Sequence, residues 1–348
     1  MAVTQTRAGK IRAICSSVPE RVFDNLTETT AFDPKEVEKV VRMAGVRRRY
    51  VASDRICSSD LCATAAKRLL DHLEWDPKSI DALIFVTQTQ DYLLPSTACL
   101  VQHWLGLADG CAAFDVGLGC SGYPYGLWLA SMMVSTGGFK RVLMLHGETP
   151  TRFSDKSDRS VALLFGDAGS ATAVEAEPDD GPTPWWFSLH TDGSGWRDLI
   201  IEGGGFRDRF PADPKKNFVS MNGAGIFNFA IRAVPSVIEE TLVASSTDSA
   251  TIDYFILHQS NLFIMRHLAQ KMKIPQDKIP LSIQEFGSAG GPSIALTLTQ
   301  GKLNRPNERA LRLLLVGYGV GLSWGTALVS LGPDAVLDHV VVSAPYVN

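Results

Sequence analysis

The chain has 348 residues, of which 45% are hydrophobic, so it is long enough to bury a large core as one domain or two closely packed ones. Its net charge of -4 provides no general attraction to nucleic acid or to anionic membrane surfaces. The six cysteines form no C-x-x-C pair and no cluster with histidine at zinc-ligand spacing, which indicates reduced thiols and no metal site.

The beginning of the chain lacks a continuous apolar run, and nowhere do about 18 apolar residues follow one another. We therefore expect a cytoplasmic protein that does not enter a membrane. Further along, short β-branched runs bounded by glycine alternate with stretches of helical spacing, such as residues 61–73 and 234–243. This alternation favours an α/β fold with mostly parallel strands.

The order of elements in the first half of the chain recurs in the second half. Three pairs of segments correspond: 81–90 with 253–261, 141–147 with 312–319, and 166–174 with 321–329. The sequence thus predicts duplicated α/β halves, residues 1–180 and 181–348, with a site on the face that they share. Between them, residues 182–221 are rich in Gly, Pro, Asp and Trp and are expected to form a surface excursion.

Cys120 follows an apolar run and a glycine-rich turn and precedes a helical stretch, so we expect it at the start of a helix. There, unpaired backbone N–H groups and the helix dipole would favour the thiolate and lower the thiol pKa. A nearby backbone N–H could hold an acyl oxyanion. The alternative is that Cys120 is a small buried core residue, as free cysteines commonly are.

The same turn allows a second interpretation. Gly117, Gly119 and Gly122 match the spacing of a dinucleotide-binding fingerprint between a strand and a helix, with Glu148 as a candidate ribose ligand. That interpretation predicts an NAD-binding oxidoreductase. However, Glu148 lies farther along the chain than the usual spacing of about 20 residues.

His258 comes directly after an apolar strand, at the end where sites in α/β sheets gather. It is well placed for acid–base chemistry, although a histidine there could also simply satisfy backbone groups. Two glycine turns follow, at 287–291 and 317–321, and their backbones could approach a substrate closely.

Several motifs resemble the ketoacyl-acyl-carrier-protein synthase III branch of the thiolase superfamily, in the expected order and over most of the chain. They are AGVRRR at 44–49, DYLLPSTAC at 91–99, GCSG at 119–122, LFGDAGS at 164–170, MNG at 221–223, HQSN at 258–261 and GLSWG at 321–325. The resemblance implies a thiolase fold with five layers, α-β-α-β-α.

The resemblance also implies roles for individual residues. Cys120 would be the acyl-accepting nucleophile and His258 the catalytic histidine, with the backbone N–H groups of Cys120 and Gly321 as the oxyanion hole. Leu94 would reach the acyl pocket of a partner in a homodimer. The residues implied to line the pantetheine channel are Gly223, Ile226 and Ser260.

The chain departs from the family pattern at two positions. Ser288 stands where the family has an asparagine that assists decarboxylation, and a hydroxyl donates one hydrogen bond where an amide has two donors on a longer arm. Phe263 stands where the family often has an arginine for carrier-protein docking. Three basic residues remain close to it in sequence: Arg266, Lys271 and Lys273.

Together these features predict an acyltransferase of the 3-oxoacyl-acyl-carrier-protein synthase III type, with no cofactor and with coenzyme A or phosphopantetheine thioesters as substrates. Cys120 would take an acyl group from acyl-CoA or acyl-carrier protein, and a malonyl thioester would then condense with it, with His258 and Ser288 stabilising the enolate. An O- or N-acyltransferase, with His258 as general base, is the main alternative. A catalytically silent subunit is disfavoured because both Cys120 and His258 are present.

Overall fold

The computed structural model of the chain describes residues 3–7, 9–177, 184–306 and 308–347. The strands are β1 (Val3–Thr6), β2 (Gly9–Pro19), β3 (Val22–Asp24), β4 (Arg48–Tyr50), β5 (Ala82–Val86), β6 (Ala112–Val116), β7 (Arg141–Glu148), β8 (Ala168–Ala176), β9 (Trp185–Thr191), β10 (Leu199–Ile200), β11 (Ser220–Met221), β12 (Tyr254–Leu257), β13 (Leu311–Gly319), β14 (Ser323–Leu331) and β15 (Val336–Val342). The helices are α1 (Asn25–Glu28), α2 (Pro34–Ala44), α3 (Ser58–Leu73), α4 (Thr97–Trp104), α5 (Gly122–Ser135), α6 (Arg159–Ala162), α7 (Gly223–Ala244), α8 (Leu262–Met272), α9 (Ile283–Phe286) and α10 (Ser293–Gln300).

Two large sheets form the centre of the molecule, in the orders β15-β2-β8-β7-β5-β6 and β1-β9-β14-β13-β12. Helices α5 and α10 pack between the sheets, α3 and α4 cover the outer face of the first sheet, and α7 and α8 cover the outer face of the second. The result is the five-layer α-β-α-β-α arrangement expected from the sequence. Because α5 contacts both sheets, its sequence is apolar around most of its circumference.

The duplication predicted from the sequence is present in the sheets. In the first, β5 pairs in parallel with β7, which pairs antiparallel with β8. In the second, β12 pairs in parallel with β13, which pairs antiparallel with β14. These are the three pairs of segments that the sequence comparison matched. The helical stretches expected at 61–73 and 234–243 lie within α3 and α7.

The expectation of mostly parallel strands holds for the first sheet, in which β8 alone runs antiparallel to its neighbours, whereas the second sheet is mixed, with β14 antiparallel to both β13 and β9. One expectation about the strands is wrong. The segment 182–221 is not wholly a surface excursion, because its residues 185–191 form β9 between β1 and β14. Trp185 and Phe187 on β9 are buried in the core between the sheets, and this alternation of buried side chains marks a strand.

The two ends of the chain exchange sheets: β1 joins the sheet of the second half, and β15 joins that of the first half beside β2. The predicted boundary at 180/181 lies outside the described residues, and the division into halves at that point stays a prediction. In the part of the chain that the structure describes, no helix combines the length and apolar character needed to cross a bilayer.

Candidate active site

Cys120 lies in the turn between β6 and α5, two residues before the first residue of the helix. The end of β13 packs directly against this turn. A Cβ added to Gly319 would lie 2.6 Å from Cβ and 2.9 Å from Sγ of Cys120, and one added to Gly317 would lie 3.0 Å from the Cys120 carbonyl oxygen. Only glycine allows strand and turn to approach so closely.

His258 also lies beside the end of β13, because it directly follows the neighbouring strand β12. Its backbone N–H donates to the carbonyl of Val316 at 2.8 Å, which continues the β12–β13 pairing by one residue. Its ring lies edge-on to Tyr318, with the ring centroids 5.6 Å apart, and its Nδ1 lies 2.9 Å from Oγ of Ser293. The Cys120 turn and His258 therefore both contact the end of β13, so one strand end brings together residues from opposite halves.

Burial dominates the electrostatics of both groups. It raises the pKa of the Cys120 thiol to about 11, and the N–H groups of Val320 and of Cys120 itself oppose this effect only in part. The pKa is thus raised, opposite to the lowering expected at the helix start, because loss of water and the nearby Glu148 carboxyl outweigh the two N–H groups. Burial likewise lowers the pKa of His258 to about 4, so its imidazole is neutral at pH 7.

A cavity of about 240 Å³ opens beside Cys120. Its wall is mostly apolar side chains together with the backbone of the glycine turns. The lining residues are Gln88, Gly119, Cys120, Glu148, Pro150, Phe153, Phe165, Leu199, Ile200, Ile201, Val219, Gly290 and Val320. Such a cavity can hold an apolar chain attached to the sulfur of Cys120.

Ser288 lies in the turn after α9, where its N–H donates to the Leu164 carbonyl at 2.9 Å. The same turn continues to Gly290, which lines the cavity, and to Ser293, which contacts His258. Ser288 is buried, and its role in catalysis stays a prediction.

Neither His258 nor the remaining predicted substrate-binding residues are among those that line this cavity. Ser260 follows His258, and its Oγ lies 2.8 Å from the Tyr318 hydroxyl. Gly223 and Ile226 occupy the first turn of α7, and Ile226 is buried. Leu94 is 80% exposed in the single chain and does not line its cavity.

The family resemblance implies Gly321 as the second oxyanion-hole donor, and that role stays a prediction. In the structure, the backbone N–H that faces the Cys120 thiol is that of Val320, which also lines the cavity, whereas Gly321 does not line it. The difference is one residue within a glycine-rich turn, a register that a pattern of glycines does not determine.

Two polar residues on β7 were not assigned to the site from sequence. Glu148 lines the cavity, accepts from the Gln88 N–H at 2.9 Å and from the Thr89 hydroxyl at 3.1 Å, and burial raises its pKa to about 8. His146 lies two residues earlier and is fully buried. The signal was available, because both come at the end of a predicted strand, where α/β sites gather. Glu148 thus lies in the same cavity as Cys120 and Gly119.

No cluster of three or more histidine, cysteine, aspartate or glutamate residues suited to a metal occurs among the described residues.

A family model for 3-oxoacyl-[acyl-carrier-protein] synthase III matches residues 114–193, and a second model, for the C-terminal part of that enzyme, matches residues 242–331.

Comparison with whole proteins extends this similarity to nearly the whole chain. The chain is 33% identical to a beta-ketoacyl-[acyl-carrier-protein] synthase III of Syntrophomonas wolfei, over 91% of this chain and 96% of the relative. A 3-oxoacyl-(acyl-carrier protein) synthase from Burkholderia xenovorans superposes with a TM-score of 0.93 at 40% identity, covering 98% of this chain and 99% of the other. The priming β-ketosynthase of the R1128 polyketide pathway superposes with a TM-score of 0.83 at 27% identity, covering 96% and 99%.

Proposed function

The chain belongs to the 3-oxoacyl-[acyl-carrier-protein] synthase III family of condensing enzymes, and we propose that Cys120 and His258 carry out its two half-reactions. The observation that carries this proposal is that both groups lie against the end of β13, the Cys120 turn against Gly317 and Gly319 and His258 in a hydrogen bond to Val316. A second support is the largely apolar cavity that begins at Cys120.

In the first half-reaction, Sγ of Cys120 forms a bond to the acyl carbon of a thioester, the bond from that carbon to the leaving sulfur breaks, and the thiol proton ends on the leaving sulfur. The oxyanion of the intermediate needs backbone donors. We assign this role to the N–H groups of Cys120 and Val320, since those two already approach the sulfur.

In the second half-reaction, a malonyl thioester loses carbon dioxide, and the resulting enolate carbon bonds to the acyl carbon. The bond to Cys120 breaks, and the sulfur is reprotonated from solvent. Neutral His258 can donate a hydrogen bond to the enolate oxygen from Nε2 if Nδ1 accepts from Ser293. The Ser293 oxygen already accepts the Gln259 N–H at 3.2 Å, which leaves its proton available to His258.

The test is to incubate the purified protein with an acyl-CoA and then with a malonyl thioester. We expect intact-protein mass spectrometry to show an acyl group on Cys120, absent in Cys120→Ala, followed by release of carbon dioxide and loss of the adduct. A panel of acyl-CoAs of increasing chain length would identify the donor. Absence of acylation with every member of the panel would disprove the proposed nucleophile.

Ser288 makes one alternative worth testing in the same experiment. Its hydroxyl donates one hydrogen bond where an amide has two donors, and losing one enolate donor costs roughly 3 kcal/mol of transition-state stabilisation. If Cys120 is acylated but no carbon dioxide is released, the condensation step fails, and we then expect an alcohol or an amine as the second substrate, with His258 as its general base.

We further propose that the enzyme is a homodimer in which Leu94 reaches the partner's acyl cavity. Leu94 and its neighbours Tyr92 and Leu93 form an exposed apolar run, which a monomer would leave in water. Light scattering should show that Leu94→Glu is a monomer, and mass spectrometry should show reduced acylation of its Cys120. Val243→Glu, at a 73% exposed position on α7, is the matched control and should change neither.

Use of a carrier protein is also a proposal, supported by the family and by basic residues on α8. Lys271 is engaged, because its Nζ donates to the Ile231 carbonyl at 2.6 Å, but Arg266 and Lys273 are exposed. Replacing both by glutamate should raise KM for malonyl-carrier protein and leave KM for malonyl-CoA unchanged. An equal effect on both substrates would argue against docking at this helix.

A further inference from the structure

Strand β7 presents two side chains, His146 and Glu148, to the turn that links Ser288 with Ser293. Two residues apart on a strand, they point to the same side. A Cβ added to Gly291 would lie only 1.8 Å from Cε1 of His146, and one added to Gly290 would lie 3.1 Å from Cγ of Glu148. Gly290 and Gly291 thus rest directly on these two side chains.

His146 also contacts the nucleophile turn. A Cβ added to Gly122 would lie 2.8 Å from Cε1 of His146. The two turns are also close to each other, because a Cβ added to Gly291 would lie 2.6 Å from the carbonyl oxygen of Gly119. The ring therefore fills the space where the turn before α5 meets the turn before α10. It does not line the cavity, so a substrate there does not touch it.

The two ring nitrogens of His146 have no hydrogen-bond partner among the described residues, although the side chain is fully buried. Each unpaired buried polar atom costs roughly 1–3 kcal/mol. An apolar side chain of similar size would fill the same space without this cost, so filling space does not by itself account for a histidine.

The link to catalysis runs through the turn. Gly291 rests on His146, and Ser293, two residues later, is the residue whose hydroxyl lies against Nδ1 of His258. The titratable groups around this junction are His146 and Glu148 from β7, Tyr123, whose ring stacks on that of His146, Cys120, His258 and Tyr318. His146 lies against a glycine from each of the two segments, Gly122 at the start of α5 and Gly291 in the turn before α10.

We propose that His146 is a positioning residue for the second half-reaction: it supports the turn from Gly290 to Ser293 and thereby orients His258, and its ring nitrogens supply a donor and an acceptor where the two turns meet. This inference rests on the proposed function. It assigns the imidazole a polar role that an apolar residue cannot replace.

The test compares His146→Leu, which keeps approximate size without nitrogens, with His146→Gln, which keeps a donor and an acceptor. Acylation of Cys120 and carbon dioxide release from a malonyl thioester are measured separately in each. We expect His146→Leu to acylate close to the wild-type rate with unchanged KM for acyl-CoA, while carbon dioxide release falls roughly 10- to 100-fold, as for a small displacement of a catalytic group. His146→Gln should recover most of the loss.

Equal carbon dioxide release by His146→Leu and the wild type would overturn the proposal, and so would an equal loss in the leucine and glutamine variants. Acylation serves as the internal check on folding, since a variant that acylates at the wild-type rate has an intact nucleophile turn. If the wild type itself releases no carbon dioxide, the condensation step of the proposed function fails, whatever the variants do.

Discussion

The hydroxyl of Ser293 lies 2.9 Å from Nδ1 of His258, and this contact joins the first residue of α10 to the residue after β12. Both side chains are buried. A histidine held through one nitrogen presents the other to a substrate in a fixed orientation, as in the arrangement of nucleophile, base and orienting group found in acyl-transfer enzymes.

Ser293→Ala should therefore lower kcat for condensation roughly 10- to 100-fold with little change in KM, because His258 loses the group that fixes its ring. We also expect a loss of about 1–3 kcal/mol in stability, since Nδ1 is left unpaired in the interior. The matched control is Ser282→Ala, which removes a buried hydroxyl bonded to Thr297 at 2.8 Å. It should lose stability without losing activity, and an equal kinetic loss would contradict the orienting role.

Gly319→Ala should abolish acylation of Cys120. The new Cβ would lie 2.6 Å from Cβ and 2.9 Å from Sγ of the nucleophile, so the turn must move. Gly117→Ala is the control, because a Cβ at that position in the same turn meets nothing within 4 Å. Acylation rates from mass spectrometry should be near wild type for Gly117→Ala and undetectable for Gly319→Ala. Normal acylation of Gly319→Ala would mean that the strand and turn are not held this closely.

The sequence predicted the parts of the site that depend on local patterns. Cys120 in a glycine turn before a helix and His258 after an apolar strand were both recognisable, and the duplicated segments predicted the paired sheets. What it did not predict depends on contacts across the chain. The burial that raises the pKa of Cys120 comes from elements of both halves, and the contact of Ser293 with His258 joins residues 35 positions apart.

The same reason explains why β9 was mistaken for surface. Composition alone suggested a loop, yet Trp185 and Phe187 are buried because β9 lies inside the second sheet and the face that carries these side chains packs against α5 and the first sheet. Likewise, the sequence does not predict that His146 and Glu148 contact Gly290 and Gly291, because these glycines are far away along the chain.

Burial of Cys120 predicts a specific pH dependence for its alkylation. With a pKa of about 11, the thiolate is a minor species at pH 7, so labelling by iodoacetamide should rise about tenfold per pH unit between pH 7 and pH 10. Peptide mass spectrometry would follow Cys120 and the exposed Cys99 in the same sample. Labelling of Cys120 that is already maximal at pH 7 would show that the helix start lowers the pKa after all.

Glu148 predicts how stability changes with pH. Burial raises its pKa in the folded protein to about 8, above the ordinary value of 4.5. A group whose pKa is raised by folding contributes stability that is fully present below its ordinary value and is lost as the pH rises through the folded value. The wild type should therefore lose stability between about pH 5 and pH 9, on the order of a few kcal/mol from this group.

Glu148→Gln should remove that loss, because the amide stays neutral and its oxygen still accepts the N–H of Gln88. The melting temperature of the variant minus that of the wild type, at equal protein concentration, should increase from pH 5 to pH 9. Asp167, whose pKa burial raises to about 6, has the same sign but is present in both proteins and cancels in the difference. A difference that does not change with pH would mean that Glu148 is already ionised in the folded protein at pH 5, and that the cavity beside Cys120 is more hydrated than its lining suggests.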